Sequence, residues 1–208
     1  MQSIPRPLLV AGAILAAAAV ISQFVLMLQN RVAPVAETVI RFFSFFTILT
    51  NSLVALFCIT RAWFPGSALG RYFGRYTVFS AITVYIVIVG GVYQVALRQV
   101  WEPEGLQLLV DEALHTMTPA YMLILWLRTR PTSRIAWQGI PLWLVYPLVY
   151  FGYVLIRGAF SGFYPYPFVD VEKLGMAAVL RNASVIVLAF LFCSVLLAGI
   201  ANFRVSRV

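Results

Sequence analysis

The chain has 208 residues, of which 62% are hydrophobic and 11% are charged, and it carries a formal net charge of +8. A soluble domain is about one-quarter charged, so this sequence has too little polar surface to cover a water-facing globule. The composition excludes an ordinary soluble protein and indicates one all-α membrane domain over residues 1–208. Because no soluble domain presents a basic face, we expect no nucleic-acid partner.

Six apolar segments are long enough to cross about 30 Å of hydrocarbon as helices, which takes roughly 20 residues. In chain order they are Leu8–Leu28, Val39–Thr60, Tyr76–Leu97, Leu106–Leu127, Ile135–Ile156 and Leu174–Phe203. The first segment also fits a cleaved signal peptide that follows Arg6, but its apolar run exceeds a typical signal core. The sequence therefore predicts a polytopic bundle of six transmembrane helices.

The charges between these segments predict the orientation of the bundle. With the N-terminus inside, every charged residue in the cytoplasmic segments is basic. These residues are Arg6, Arg61, Arg71, Arg75, Arg128, Arg130, Arg134, Arg204 and Arg207. The acidic residues fall outside or near the outer helix ends, and they are Glu37, Glu102, Glu104, Asp111, Glu112, Asp170 and Glu172. Both termini are predicted to be cytoplasmic, in a bacterial inner membrane whose anionic lipids contact the arginines.

Polar side chains inside the predicted helices are candidate functional residues, because each is costly to place in lipid. Counted from the outer helix ends at 1.5 Å per residue, four of them lie at similar depths of about 12 Å: Thr47, His115, Arg181 and Asn182. Gln23 and Gln94 are shallower on the same side. We expect a polar pocket in the outer half of the bundle, with apolar packing beneath it.

Helical spacing places these residues on two polar stripes. The second segment carries Ser44, Thr47 and Asn51, and the fourth carries Asp111, His115, Thr118 and Met122. A carboxylate at Asp111 would hold one ring nitrogen of His115 and leave the other free to act as a base.

Each of these residues also has a structural interpretation. A threonine in a membrane helix commonly bonds the carbonyl four residues earlier, and Asn51 could link two helices. Arg181 needs an anionic partner, for which the candidates are Asp111, Asp170 or a bound carboxylate. The aromatic loop FSGFYPYPF is typical of an interfacial belt.

Three segments together resemble a known membrane family: RFFSFFTILTNSLVALF, WEPEGLQLLVDEALHTMTPAYMLILW and YPYPFVDVEKLG. They are similar to blocks of the six-span bacterial family related to the animal androgen-induced gene 1 proteins and the androgen-dependent TFPI-regulating protein. The resemblance covers the second to sixth segments.

The resemblance implies a threonine hydrolase of fatty acid esters of hydroxy fatty acids. The family's threonine and histidine correspond to Thr47 and His115, and Thr50 is a neighbouring hydroxyl that has to be distinguished from the nucleophile. Acyl transfer to Thr47 would need oxyanion donors, for which Asn51, Asn182 and Arg181 are candidates. Arg181 or Arg157 would hold a substrate carboxylate.

No metal or cofactor motif is present, so we expect none. The alternative function is a small transporter, channel or lipid-binding scaffold with a polar intramembrane site. A polar path that continues to the cytoplasm would favour this alternative, whereas a blind pocket would favour the hydrolase.

Overall fold

A computed structural model describes residues 3–205, and within that range the chain is helical and contains no β-strand. Its α-helices are α1 (Arg6–Gln29), α2 (Val35–Phe43), α3 (Phe46–Trp63), α4 (Ala68–Phe73), α5 (Tyr76–Val92), α6 (Gly105–Glu112), α7 (Thr118–Arg128), α8 (Val145–Ser161), α9 (Val171–Leu174) and α10 (Met176–Val205). π-Helical turns follow α5 (Tyr93–Leu97) and α6 (Ala113–Met117), and 3₁₀ turns precede α8 (Trp137–Leu144) and α9 (Pro167–Val169). Arg207, part of the predicted cytoplasmic tail, lies outside the described residues.

Five helical segments in the described range are long and apolar enough to cross a membrane: Arg6–Gln29, Phe46–Trp63, Tyr76–Leu97, Trp137–Ser161 and Met176–Val205. They correspond to five of the six predicted segments, and the third has the predicted bounds. The predicted fourth segment is helical from Gly105 to Arg128, but a π turn divides it into α6 and α7. The all-helical fold is confirmed, whereas the sixth span remains a prediction.

The second predicted segment, Val39–Thr60, is wrong as a single continuous helix. It is broken where α2 ends at Phe43 and α3 begins at Phe46. Ser44 keeps near-helical angles, but Phe45 is extended, with φ −86° and ψ 125°. This break gives α3 its own N-terminus inside the bundle, with Thr47 in its first turn.

The core of the bundle forms around α5, which packs against α3, α7 and α10. Its side chains Phe79, Val84 and Ile86 are fully buried. On the other side of α3, α1 packs through small residues, and its Ala16 is fully buried. Small side chains let helix backbones approach closely, which is how membrane helices gain packing energy without a hydrophobic driving force.

Successive long segments run in alternating directions along the bundle. The last turns of α1 and the π turn after α5 lie beside the starts of α3 and α6, and the α8–α10 connection lies at the same end, because residues from each of them line one cavity. We call this the site end. The opposite end, called the far end, contains the end of α3, the start of α5 and the end of α7, where the Tyr76 hydroxyl donates to the Thr129 carbonyl at 3.4 Å.

Candidate active site

The predicted pair, Thr47 and His115, is brought together at the site end. Thr47 Oγ1 lies 3.3 Å from His115 Nε2, which is a somewhat long hydrogen bond of the kind often found in unliganded catalytic sites. Thr47 is buried in the first turn of α3, and His115 lies in the π turn after α6. The side chain of His115 is only 12% exposed.

The surroundings of His115 determine its tautomer. Nδ1 lies 3.0 Å from the backbone carbonyl oxygen of Asp111 and 3.3 Å from its carboxylate Oδ1. Because a carbonyl oxygen can only accept a hydrogen bond, Nδ1 carries the proton. In the neutral imidazole this leaves the lone pair of Nε2 facing Thr47, where it can accept the hydroxyl proton, as a general base requires. The predicted Asp111–His115 contact is present and is reinforced by the main chain.

The imidazole ring is also held from its face. Tyr93 stacks on His115, with ring centroids 4.2 Å apart and planes 13° apart. Both rings belong to π turns, and single π turns within α-helices occur frequently at functional sites. Gly90 allows the two helices to approach, since a Cβ at this position would lie 2.9 Å from the His115 carbonyl oxygen.

Tyrosine hydroxyls satisfy the main chain at the break before α3. The Phe46 N–H donates to the Tyr150 hydroxyl at 3.2 Å, and that hydroxyl donates to the Ser44 carbonyl at 2.8 Å. The Thr47 N–H donates to the Tyr166 hydroxyl at 3.3 Å. The Tyr166 oxygen also lies 3.3 Å from Thr47 Oγ1, so one phenol contacts both the hydroxyl and the amide of Thr47.

Sequence reasoning interpreted the loop containing Tyr166 as an interfacial belt and missed this contact. Tyr166 lies between Pro165 and Pro167, and its φ of −135° and ψ of 143° are the extended angles that a following proline favours. Its ring stacks on Phe168, with centroids 5.2 Å apart and planes 4° apart. The Pro-Tyr-Pro pattern was the available signal, because it fixes the backbone of one aromatic residue. Burial raises the pKa of the Tyr166 hydroxyl above its ordinary value, so it remains protonated at neutral pH.

Two cavities meet at Thr47. The first has a volume of about 420 Å³ and contains His115, Asp111 and the linked amides of Gln23 and Gln107. The second has a volume of about 670 Å³ and is formed almost entirely by apolar side chains of α5, α8 and α10. Thr47, Leu97 and Tyr166 line both cavities. Each volume is within the range of small-molecule sites, and the hydroxyl of Thr47 is reachable from both sides.

An aromatic cluster closes the second cavity toward the far end. Phe46 packs against Tyr146 and Phe190, with centroid distances of 5.1 and 6.1 Å. Tyr85 packs against the same two rings at 5.0 and 6.2 Å. We call these four side chains the aromatic floor. Tyr85 and Tyr146 also line a separate cavity of about 990 Å³, which contains Tyr76 of the far end, so the four rings lie between that cavity and the second one.

Asn51 and Thr50 do not line either cavity, and their side chains bond to neighbouring groups in the bundle. The Asn51 amide donates to the Thr47 carbonyl at 2.9 Å and to the Leu114 carbonyl at 3.2 Å. Both of its N–H groups are thereby occupied, so the predicted oxyanion role does not fit and Asn51 ties α3 to the π turn of His115. The Thr50 hydroxyl is fully buried and lies 3.2 Å from the Tyr146 hydroxyl, away from His115.

The remaining predicted residues lie away from Thr47. Asn182 donates to the Phe168 carbonyl at 3.0 Å and so anchors the loop of Tyr166. Arg157 binds Glu37 at 2.8 Å, which occupies the guanidinium proposed for a substrate carboxylate.

The prediction that Arg181 is paired or lines the pocket is wrong: it is exposed, lines neither cavity and has no ion-pair partner within residues 3–205. A helical side chain points toward its helix N-terminus, so Arg181 can extend to the membrane surface.

No model of a known protein family, no curated protein and no solved structure matches this chain. Within the described residues, no group of three or more His, Cys, Asp or Glu side chains is placed to hold a metal ion.

Proposed function

We propose that this protein is an intramembrane threonine hydrolase of long-chain lipid esters, of the fatty acid ester of hydroxy fatty acid type. The observation that carries the proposal is the contact between Thr47 Oγ1 and a His115 whose Nε2 is left basic by the Asp111 carbonyl. A nucleophile, a base and a group that orients the base are the arrangement of covalent hydrolases. The motif resemblance, which selects the same threonine and histidine, supports the proposal independently.

In the proposed reaction, Thr47 Oγ1 attacks the ester carbonyl carbon while its proton moves to His115 Nε2. The carbonyl π electrons move to the oxygen and form a tetrahedral oxyanion. When the oxyanion collapses, the bond to the alkoxy oxygen breaks, and His115 returns the proton to the departing alcohol. Water then attacks the acyl-threonine, again giving a proton to His115. As the acyl bond to Thr47 Oγ1 breaks, His115 returns this proton to Oγ1, and the acid is released. The Asp111 carboxylate stabilises the imidazolium formed in each half-reaction.

The two cavities suit an ester with two chains. The second cavity is apolar enough for a fatty acyl chain, while the first offers the Gln23 and Gln107 amides to a more polar alcohol portion. Because Thr47 lies where the cavities meet, the scissile carbonyl of such an ester would lie beside its hydroxyl. The substrate would enter sideways from the lipid.

The aromatic floor favours a hydrolase over a transporter or channel. Either of those functions requires a route for the transported species through the bundle. The second cavity instead ends at Phe46 and Phe190, which pack on Tyr85 and Tyr146, and no described residue of the far end lines either cavity.

We further propose six membrane passes with both termini cytoplasmic, in which Gly105–Arg128 forms the additional pass and the site end faces outward. The arginine distribution supports this orientation. A C-terminal reporter that functions only in the cytoplasm should be active in intact bacteria. Activity of the complementary reporter, which functions only outside the inner membrane, would contradict the assignment.

Covalent labelling of the purified full chain tests the hydrolase proposal. A fluorophosphonate probe should label the wild type, whereas Thr47→Ala and His115→Ala should remain unlabelled because the nucleophile or its base is lost. Thr50→Ala, which removes a neighbouring hydroxyl outside the cavities, should label like the wild type. Equal labelling of the wild type and Thr47→Ala would refute the proposal.

A further inference from the structure

The proposed reaction develops negative charge on the carbonyl oxygen of the ester, and this charge requires hydrogen-bond donors about 2.7–3.1 Å away. The donors expected from sequence do not meet this requirement. Asn51 has both amide N–H groups bonded to backbone carbonyls, Asn182 is bonded to Phe168, and Arg181 lines neither cavity.

Two other donors lie directly beside Thr47 Oγ1. The Tyr166 hydroxyl is 3.3 Å from Oγ1, and its side chain lines both cavities. The Thr47 backbone N–H has no backbone acceptor at the start of α3 and donates to the same phenol oxygen at 3.3 Å. By contrast, the next two amides, those of Ile48 and Leu49, already donate to the Phe45 carbonyl. The break before α3 therefore leaves the amide of the nucleophile bonded only to a side-chain hydroxyl.

We propose that the Tyr166 O–H and the Thr47 N–H form the oxyanion hole, which makes Tyr166 a catalytic residue. This inference rests on the proposed hydrolase function. When the ester carbonyl enters, its oxygen replaces the weak contact between these two groups and accepts a hydrogen bond from each. Tyr166 keeps its proton throughout and transfers none.

Two features make these donors effective before substrate binds. The Thr47 amide lies at the N-terminus of the 18-residue helix α3, where the aligned peptide dipoles favour negative charge. The phenol is held by the flanking prolines, by stacking on Phe168 and by an edge contact with Phe45 at 5.8 Å. Donors that are already oriented need no rearrangement as the charge forms, and this is the main source of their catalytic effect.

Tyr166→Phe in the full-length protein tests the assignment, because it removes only the hydroxyl and keeps both ring contacts. We expect kcat for a long-chain ester to fall about 100- to 1000-fold, the usual effect of removing one oxyanion donor, while KM stays nearly constant. A long-chain trifluoromethyl ketone, which forms an oxyanion on the nucleophile, should bind more weakly by a similar factor. The matching ether, which binds without reacting, should bind equally to both proteins.

Tyr153→Phe is the matched control. Its hydroxyl lies 2.9 Å from Ser44 Oγ at the same helix break, but Tyr153 lines neither cavity, so this variant should keep wild-type kinetics. If Thr47→Ala abolishes hydrolysis but Tyr166→Phe retains full kcat and ketone affinity, the oxyanion assignment is wrong while the hydrolase stands. Equal weakening of the ketone and the ether would show a purely structural role and also overturn the assignment. If Thr47→Ala hydrolyses esters like the wild type, both proposals fail.

Discussion

The hydroxyl of Thr47 at the site end has different partners from the threonine hydroxyls toward the far end. Toward the far end, Thr60 and Thr129 donate to the carbonyls four residues earlier, Leu56 and Leu125, at 2.7 and 2.8 Å. Thr83, farther along α5, does the same with Phe79 at 2.9 Å. Thr47 instead contacts His115 and Tyr166.

The helix break explains this difference. The residue four positions before Thr47 is Phe43, which ends α2 and is separated from α3 by the extended Phe45. In a continuous helix the carbonyl at that position is the usual acceptor for a threonine hydroxyl. The irregular backbone at Ser44 and Phe45 therefore removes the usual helical acceptor of the Thr47 hydroxyl. This leaves the hydroxyl available to react.

The largest loss of activity is expected from substitutions of Thr47 and its base. Thr47→Ala and His115→Ala should each reduce kcat for ester hydrolysis by at least about three orders of magnitude, and the double variant should be little worse, because the two residues act as one unit. Thr47→Ser, which keeps the hydroxyl, should retain part of the activity. Initial rates of the purified proteins with a long-chain ester provide the measurement.

Thr60→Ala is the control from the far end, since it removes a hydroxyl that bonds only to its own helix. It should keep most of the wild-type rate, as should Thr50→Ala. Comparable losses in Thr47→Ala and Thr60→Ala would mean that these two hydroxyls are equivalent, and the contrast between them would not hold.

Asp111→Asn should have an intermediate effect. Where a carboxylate alone sets the tautomer of a catalytic histidine, its amide replacement costs about 10⁴-fold in kcat. Here the Asp111 main-chain carbonyl also fixes Nδ1–H and survives the substitution, so we expect a smaller loss of about 10- to 100-fold, due mainly to weaker stabilisation of the imidazolium. Steady-state kinetics should show the loss in kcat with little change in KM. A loss as large as that of His115→Ala would show that the main-chain contact does not hold the tautomer.

Two adjacent glycines allow the packing of the site to be tested separately from its chemistry. A Cβ at Gly90 would lie 2.9 Å from the His115 carbonyl oxygen, whereas one at Gly91 would meet no atom within 4 Å. Gly90→Ala should therefore destabilise the fold by about 1–3 kcal/mol and reduce activity, because it pushes α5 away from the π turn of His115. Gly91→Ala should be close to neutral in a thermal-unfolding assay in detergent. Equal melting temperatures for the two variants would contradict the close approach at Gly90.

The smallest effect is expected from the ion pairs around Glu37. Hydrogen bonds from Arg41 and then Arg157 hold the pKa of Glu37 below its ordinary value of 4.5. A carboxyl group whose pKa is lower in the folded state stabilises the protein above its unfolded pKa, and that stabilisation is lost as the pH falls through the folded pKa. Glu37→Gln should therefore lower the melting temperature slightly at pH 7 and progressively less in acid.

Glu102→Gln serves as the control for Glu37, because Glu102 is exposed and forms no ion pair with any residue in the described range. Its melting temperature should follow that of the wild type at every pH. A difference between Glu37→Gln and the wild type that persists unchanged in acid would indicate a loss of packing instead of a loss of charge.

Much of the bundle could be read from the sequence, because span length depends on hydropathy alone. The third segment was predicted with its correct bounds, and counting depth along the helices placed Thr47 and His115 at the same level. Such counting works when a helix is nearly regular, and one broken turn or one π turn shifts depth by only a few ångströms. It is therefore a useful guide to which polar groups can meet.

The break before α3 could not be read from sequence, because no local signal marks it. The stretch RFFSFFTIL contains neither proline nor glycine, and its break is stabilised by hydroxyls of Tyr150 and Tyr166, more than 100 residues away. The role of Tyr93 is likewise a tertiary effect, since it depends on stacking across two helices. Arg181 was misjudged because depth along a helix does not tell on which side a long side chain leaves it.

In the proposed bacterial inner membrane, a His115 cavity that is not lined by the far end would have an energetic consequence. A bacterial inner membrane stores energy as a proton gradient, and 100 mV across it corresponds to about 2.3 kcal/mol per elementary charge. In the proposed six-pass arrangement, His115 and Asp111 would exchange protons with water on one face only, because no described residue of the far end lines their cavity. Groups that load and unload protons on the same side carry no current. A cavity closed toward the far end would thus let acid–base catalysis proceed inside an energised membrane without discharging it.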